Sequence, residues 1–147
     1  MIKLGVCTGL ENAPLLAKAG FDYIETALNA LAALSEADFD QRKRSLAQSG
    51  LSCEAVNCML PGTLAVVGPQ VDREPLTNYL KLAFARAQAL GVEQVVFGSG
   101  GSRGVPAGAS HWQAWKQLAD FLSLASPLAA ERGLKIAIEP LSRQECN

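Results

Sequence analysis

The run AAERGLKIAIE, residues 129–139, decides the fold, because its pattern has already occurred three times upstream. An Ala/Leu-rich stretch meets Gly133, and a short β-rich run then delivers Glu139 to its C-terminal end. The same order appears in LLAKAGFDYIE (15–25), SLAQSGLSCEAV (45–56) and AQALGVEQVVF (87–97), around Gly20, Gly50 and Gly91. A glycine following a helical stretch marks a C-terminal cap, where positive φ carries no Cβ penalty. With MIKLGVC (1–7) as an opening strand, the elements run β-α-β-α-β-α-β-α-β. Alternation of this kind implies parallel strands joined by crossover helices.

Helix starts agree. Ser35 stands three residues before Asp38, and Asp72 precedes a first turn that contains Pro75. Ser110 and Gln113 have the spacing of a capping box, ahead of a Trp112/Trp115/Leu118/Leu122 face. Leu76, Leu80, Ala83, Ala87 and Leu90 recur at helical period between them. Trp112 and Trp115 are read as core or as an oligomer contact, and His111 as a first-turn residue with its ring in solvent.

The loops are lopsided. Helix-to-strand joins are short, whereas strand-to-helix joins at 58–71 and 98–110 are long. Long loops at the C-terminal ends of parallel strands are where α/β proteins build sites. Two architectures share this grammar. A doubly wound open sheet suits 147 residues, while a (β/α)8 barrel needs ~250. Strand facing favours the barrel: Ile2, Leu4, Val6, Ile24, Ile136 and Ile138 lie on one set of faces, and Gly5, Cys7, Glu25, Ala137 and Glu139 on the other. Doubly wound strands usually read apolar on both faces. The expected fold is therefore an α/β TIM-barrel type that ends after its fifth strand, with residues 1–147 forming a single domain, the N-terminal five-strand portion. Glu54 breaks the pattern by facing a helix in the third strand.

Composition narrows the partners. Net charge is −1, only Arg42-Lys43-Arg44 forms a basic run, and no nucleic-acid partner is expected. The first ten residues form neither a signal peptide nor a membrane span, so no membrane partner is expected. Four scattered cysteines without a CxxC, and a single His, suggest reduced thiols in a cytoplasmic chain and not a zinc site.

The facing rule brings Cys7, Glu25, Asn57 and Glu139 to strand tips on the inward side. Two carboxylates and an amide there suit a divalent cation such as Mg²⁺ or Mn²⁺, or a polyhydroxylated substrate; pairing with basic residues at the rim is the plainer alternative. Arg143 and Glu145 follow the last strand, either as substrate contacts or as an exposed ion pair. The stretch 98–104 (GSGGSRG) lacks the third glycine of a dinucleotide loop, so it is either a flexible loop in which Ser99 or Arg103 meets a polar substrate, or a mobile connector.

VVFGSGGSR, FLSLASPLAAERGLKIAIE and above all EPLSRQE (139–145) resemble the sugar phosphate isomerase/epimerase family, the xylose-isomerase-like barrel group that includes ketose 3-epimerases and type-IV-like AP endonucleases. The resemblance implies a metal-dependent isomerase or epimerase of a small sugar or sugar phosphate. It makes Glu139 both a metal ligand and an acid/base, with Arg143 and Glu145 orienting that site and the substrate; strand facing and the 98–104 loop, and not the resemblance, offer Asn57, Glu25 and Ser99 as further substrate contacts. The usual Asn of the motif is Ser142 here. A divalent metal (Mn, Mg, Co or Zn) is expected for the complete barrel. The family's other ligands come from strands six to eight, so the chain alone is expected to be inactive and to bind metal weakly. It is also expected to form a homo-oligomer through its exposed barrel edge. An AP-endonuclease-like barrel and a non-catalytic five-stranded association domain are the alternatives.

Overall fold

The computed structural model of the chain describes residues 2–147. Of the opening stretch 1–7, Met1 lies outside the described residues, and the strand itself is β1, Gly5–Cys7. It is followed by a 3₁₀ turn at Leu10–Asn12, α1 at Ala13–Lys18, β2 at Tyr23–Ala27, α2 at Leu28–Ala33 and α3 at Glu36–Ser49. Then come β3 at Ala55–Asn57, α4 at Arg73–Ala89, β4 at Gln94–Phe97, α5 at Gly100–Arg103, α6 at His111–Ala130 and β5 at Lys135–Ile138. Gly20, Gly50, Gly91 and Gly133 all take positive φ, between 71° and 84°. Helix caps form where the sequence places them: Ser35, Asp72 and Ser110 accept from the backbone N–H of Asp38, Glu74 and Gln113.

The five strands are all parallel and lie in the order β1-β2-β3-β4-β5. That order separates the two architectures. A flavodoxin-like sheet runs 2-1-3-4-5 and reverses direction at a switch point, whereas unbroken sequential order is the winding of a barrel. Strand facing agrees. Ile24, Thr26, Val56, Val95 and Phe97 are buried, while Tyr23, Glu25, Ala27, Ala55, Asn57 and Val96 on the other faces are not. The core lies between the sheet and its helices. Phe97 meets Phe121 of α6 with ring centroids 5.1 Å apart, and Phe84 of α4 is wholly buried. Each such ring contributes ~1.5–3 kcal/mol relative to exposure.

Three local readings are corrected. There are six α-helices among the described residues where the sequence suggested four, because α2 and α5 fold inside strand-to-helix connections. The buried stripe of α6 is Ala114, Phe121, Ala125 and Ala129; small residues at three of these positions let the helix approach the sheet closely. Trp112 and Trp115 are instead 72% and 68% exposed, so they are not core. Glu54 precedes β3 and faces no helix; at the N-terminal end of the sheet its carboxylate meets Lys3 Nζ at 2.9 Å.

The loops 58–71 and 98–110 are tied together. Met59, Leu60, Val66 and Val67 are buried. Ser102, 2% exposed, donates from its hydroxyl to the Pro61 carbonyl at 3.0 Å, and its own carbonyl accepts from Val66 N–H at 2.9 Å. Gly100–Arg103 therefore form a helical turn anchored to the 58–71 loop, where the sequence suggested a flexible loop or a mobile connector.

Candidate active site

The C-terminal ends of the strands bring three side chains into contact. Cys7 of β1 and Glu25 of β2 are register partners, as are Ala27 and Asn57 of β3. The Asn57 side-chain amide donates to Glu25 Oε1 at 2.8 Å and lies 2.9 Å from Cys7 Sγ. The facing rule thus assembles Cys7, Glu25 and Asn57 on one surface, and an amide holds the Glu25 carboxylate in place.

Glu139 arrives one residue beyond β5, and its N–H donates to the Phe97 carbonyl at 3.2 Å. Its carboxylate lies across Gly98, where a Cβ would collide with Glu139 Oε2. A glycine at this position is what lets the carboxylate rest over the tip of β4. On the other side, Arg103 Nη2 donates to the Glu139 carbonyl oxygen at 3.0 Å, with its guanidinium 5.1 Å from the centre of the Phe97 ring. The backbone of Glu139 is held while its carboxylate stays exposed.

Cys58 is the residue that sequence reasoning missed. It follows Asn57 directly, is exposed, and has φ 46°, a left-handed conformation that a residue with a Cβ rarely adopts. Partial burial holds its thiol pKa above the usual value, reinforced by Cys7, Glu139 and Glu25. Cys58 is thus kept as a neutral thiol near the strand-tip groups Cys7, Glu139 and Glu25. Ser99, at φ 42°, is the other left-handed non-glycine residue among those described. Unusual backbone of this kind concentrates at functional sites, and both residues follow strand tips.

The remaining candidates lie elsewhere. Ser99 Oγ accepts from Leu60 N–H at 3.0 Å, so its hydroxyl bridges the two long loops. The Glu145 carboxylate turns back onto Ser142, accepting from its N–H at 3.0 Å and its hydroxyl at 2.8 Å. These bonds hold its pKa below the usual carboxylate range. Ser142, the departure from the family's Asn, is therefore the anchor of Glu145. Arg143 is not paired with Glu145; it lines a separate cavity on the outer side of the β5 tip. Among the described residues no three His, Cys, Asp or Glu side chains stand close enough to hold a metal ion, and no helix is long and apolar enough to cross a membrane.

Solved structures share this arrangement of strands and helices. A D-psicose 3-epimerase determined in the presence of D-fructose superposes with a TM-score of 0.82 at 15% identity, over 99% of this chain and 55% of its own. A D-psicose 3-epimerase with D-tagatose from Clostridium cellulolyticum H10 gives 0.81 at 17% identity, over 98% and 54%. An AP endonuclease, family 2, from Brucella melitensis gives 0.74 at 19% identity, over 98% and 57%. The chain thus spans a little over half the length of these structures, and at such identities the likeness shows the fold. No curated protein sequence matches it. The family described as xylose isomerase-like TIM barrel matches residues 13–147, and with sheet order and strand facing in agreement, the chain belongs to that family.

Proposed function

We propose that this chain carries the first five strands' share of a sugar isomerase or epimerase site, in which Glu139 moves a proton at the carbon beside a ketose carbonyl. The observation that carries the reading is the exposed Glu139 carboxylate, lying over Gly98 at the tip of the fifth strand of a xylose isomerase-like barrel. The Glu139 carboxylate takes the proton and the C–H electrons move onto the carbonyl oxygen, giving an enediolate and a protonated Glu139. Inversion requires a second acid on the opposite face, supplied from beyond the five strands described; Glu139 returning its own proton to the former carbonyl carbon, with the neighbouring hydroxyl proton passing to the enediolate oxygen, exchanges ketose for aldose. Glu25 and Asn57 supply an acceptor and a donor for sugar hydroxyls at the same opening.

A divalent cation at Glu139 belongs to the proposal only with ligands beyond those described. The described donors do not form a metal centre by themselves, and no step above depends on one. Self-association through β1 and β5, each paired on one side only, belongs to it as well. Ile2, Leu4 and Ile138 are 86%, 62% and 57% exposed there. The AP endonuclease neighbour contributes fold alone, and a net charge of −1 gives duplex phosphates little to bind.

The test is ketose C3 epimerisation and aldose–ketose exchange with Mn²⁺. It is run on the chain alone and on the chain joined to strands six to eight of the D-psicose 3-epimerase it superposes on. Turnover by the fusion, lowered ~10²–10⁴-fold by Glu139→Gln with the far-UV spectrum unchanged, supports the proposal. A folded fusion that turns over equally with Gln at position 139 refutes it, as does salt-sensitive DNA binding in place of sugar turnover.

A further inference from the structure

On the outer side of the β5 tip, away from the Cys7/Glu25/Asn57 cluster, lies a cavity of about 320 Å³. It is an open cleft bordered by Val67 of the loop after β3, the connection after β4, the first two turns of α6 and the segment after β5. Arg103, His111, Trp115, Leu118, Leu141 and Arg143 line it. Its volume falls at the small end of the range for small-molecule sites.

Among the described residues neither Arg103 nor Arg143 has a carboxylate within ion-pair distance; the salt bridges formed are Lys3–Glu54, Arg42–Glu11 and Arg86–Glu36. The acid nearest to Arg143 along the chain, Glu145, is engaged with Ser142. Arg103 spends Nη2 on the Glu139 carbonyl, yet its Nε is buried without a hydrogen-bond partner. Beside these cations Trp115 exposes 68% of its surface to solvent, flanked by half-buried Leu118 and Leu141.

Two guanidinium groups on one cavity match an oxyanion, which exposed Arg143 can engage through two N–H groups and Arg103 through Nη1, its Nη2 being held by the Glu139 carbonyl. A phosphate group offers three oxygens to the two guanidinium groups, where a carboxylate offers two. An indole and two leucines at the same opening bury a flat or apolar body. We propose that this cavity is a binding site for a small phosphate monoester of an organic body, separate from the barrel mouth. The site stands whether or not Glu139 moves protons on a sugar.

The protein contains two tryptophans, so Trp112→Phe leaves Trp115 as the only indole reporter. In this background the fluorescence of the 147-residue chain is titrated at low salt with phenyl phosphate, inorganic phosphate, phenol and benzoate. Phenyl phosphate should bind saturably and at least ~10-fold more tightly than the other three, since the two guanidinium groups and the apolar wall act together. Arg143→Gln should weaken it at least ~10-fold without moving the melting temperature, because Arg143 is exposed. The proposal is overturned by absence of saturation in the millimolar range. It is equally overturned by phenol or benzoate binding as tightly as phenyl phosphate, or by an Arg143→Gln titration that matches the parent.

Discussion

Alanine at position 98 separates the catalytic reading of Glu139 from a merely structural one. Gly98 has no positive φ, so alanine fits its backbone. The added Cβ would run into Glu139 Oε2, stand 3.3 Å from Cδ of the same side chain and 3.6 Å from Leu141 Cδ2. The colliding atom is the free end of an exposed side chain, which rotates away more cheaply than the backbone shifts. Holding a side chain ~30° off its rotamer costs ~0.5–1.5 kcal/mol, so stability should change by about 1 kcal/mol and the melting temperature by ~2–4 °C. The carboxylate, however, must leave its place over β4. A displacement of about 1 Å from a reacting carbon lowers rates ~10²-fold, or ~2.7 kcal/mol in the barrier. Measured on the fusion described above, Gly98→Ala should melt nearly as the parent and epimerise ~100-fold more slowly. An unchanged rate would show that the position of the Glu139 carboxylate is irrelevant to turnover. A melting loss well beyond ~4 °C would show that Gly98 matters for packing instead.

Other consequences are equally direct. Arg86 is 5% exposed, and its Nη1 donates to the Leu31 and Leu34 carbonyls at 2.6 and 2.8 Å, satisfying the C-terminal end of α2, while Nη2 meets Glu36 Oε1 at 2.6 Å. Arg86→Met removes the side-chain donor from both carbonyls, leaving Leu31 only the Leu34 N–H at 3.3 Å, and should lower stability by ~3 kcal/mol in urea unfolding. Glu36→Gln should lower it by less than ~1 kcal/mol, because that carboxylate is 80% exposed; equal effects would refute the capping role. Burial pushes the Cys53 thiol from 9.0 to about 12, with Glu25 adding to the shift. The folded state thus favours the neutral thiol, a contribution present below pH 9.0 and lost as pH rises toward 12. Thiol labelling at pH 8 should modify exposed Cys7 quickly and Cys53 only after unfolding; rapid labelling of native Cys53 would contradict its burial.

How far the sequence carried depends on the range of each interaction. The four cap glycines and the Ser35, Asp72 and Ser110 caps were legible because each rests on a requirement met within a few residues. Sequential strand order could be argued from facing, since a sheet with helices on one side alone leaves Cys7, Glu25, Asn57 and Glu139 on the other. The short helices α2 and α5 gave no comparable signal: neither has a side-chain N-cap, and they span six and four residues. The burial of α6 was misread because both its tryptophans and its alanines recur at helical spacing, and only the neighbours in space decide which of them face the sheet. Arg86 reaches carbonyls 52 and 55 residues away, and the rest of Glu139 on Gly98 joins separate strands. No local pattern announces either. The left-handed turn at Cys58 was hidden for the same reason, because the loop that imposes it is fastened elsewhere, at Ser99 and Ser102.

Solvent hydrogen exchange into a ketose tests the central claim most directly, since it registers proton removal even when product release is slow. D-fructose incubated in D₂O with the fusion and Mn²⁺ is followed by proton NMR at the carbon beside the carbonyl. Loss of that proton signal at a rate that falls at least ~100-fold with Glu139→Gln is the predicted result. Exchange that proceeds undiminished with glutamine at position 139, in protein that remains folded, would contradict it.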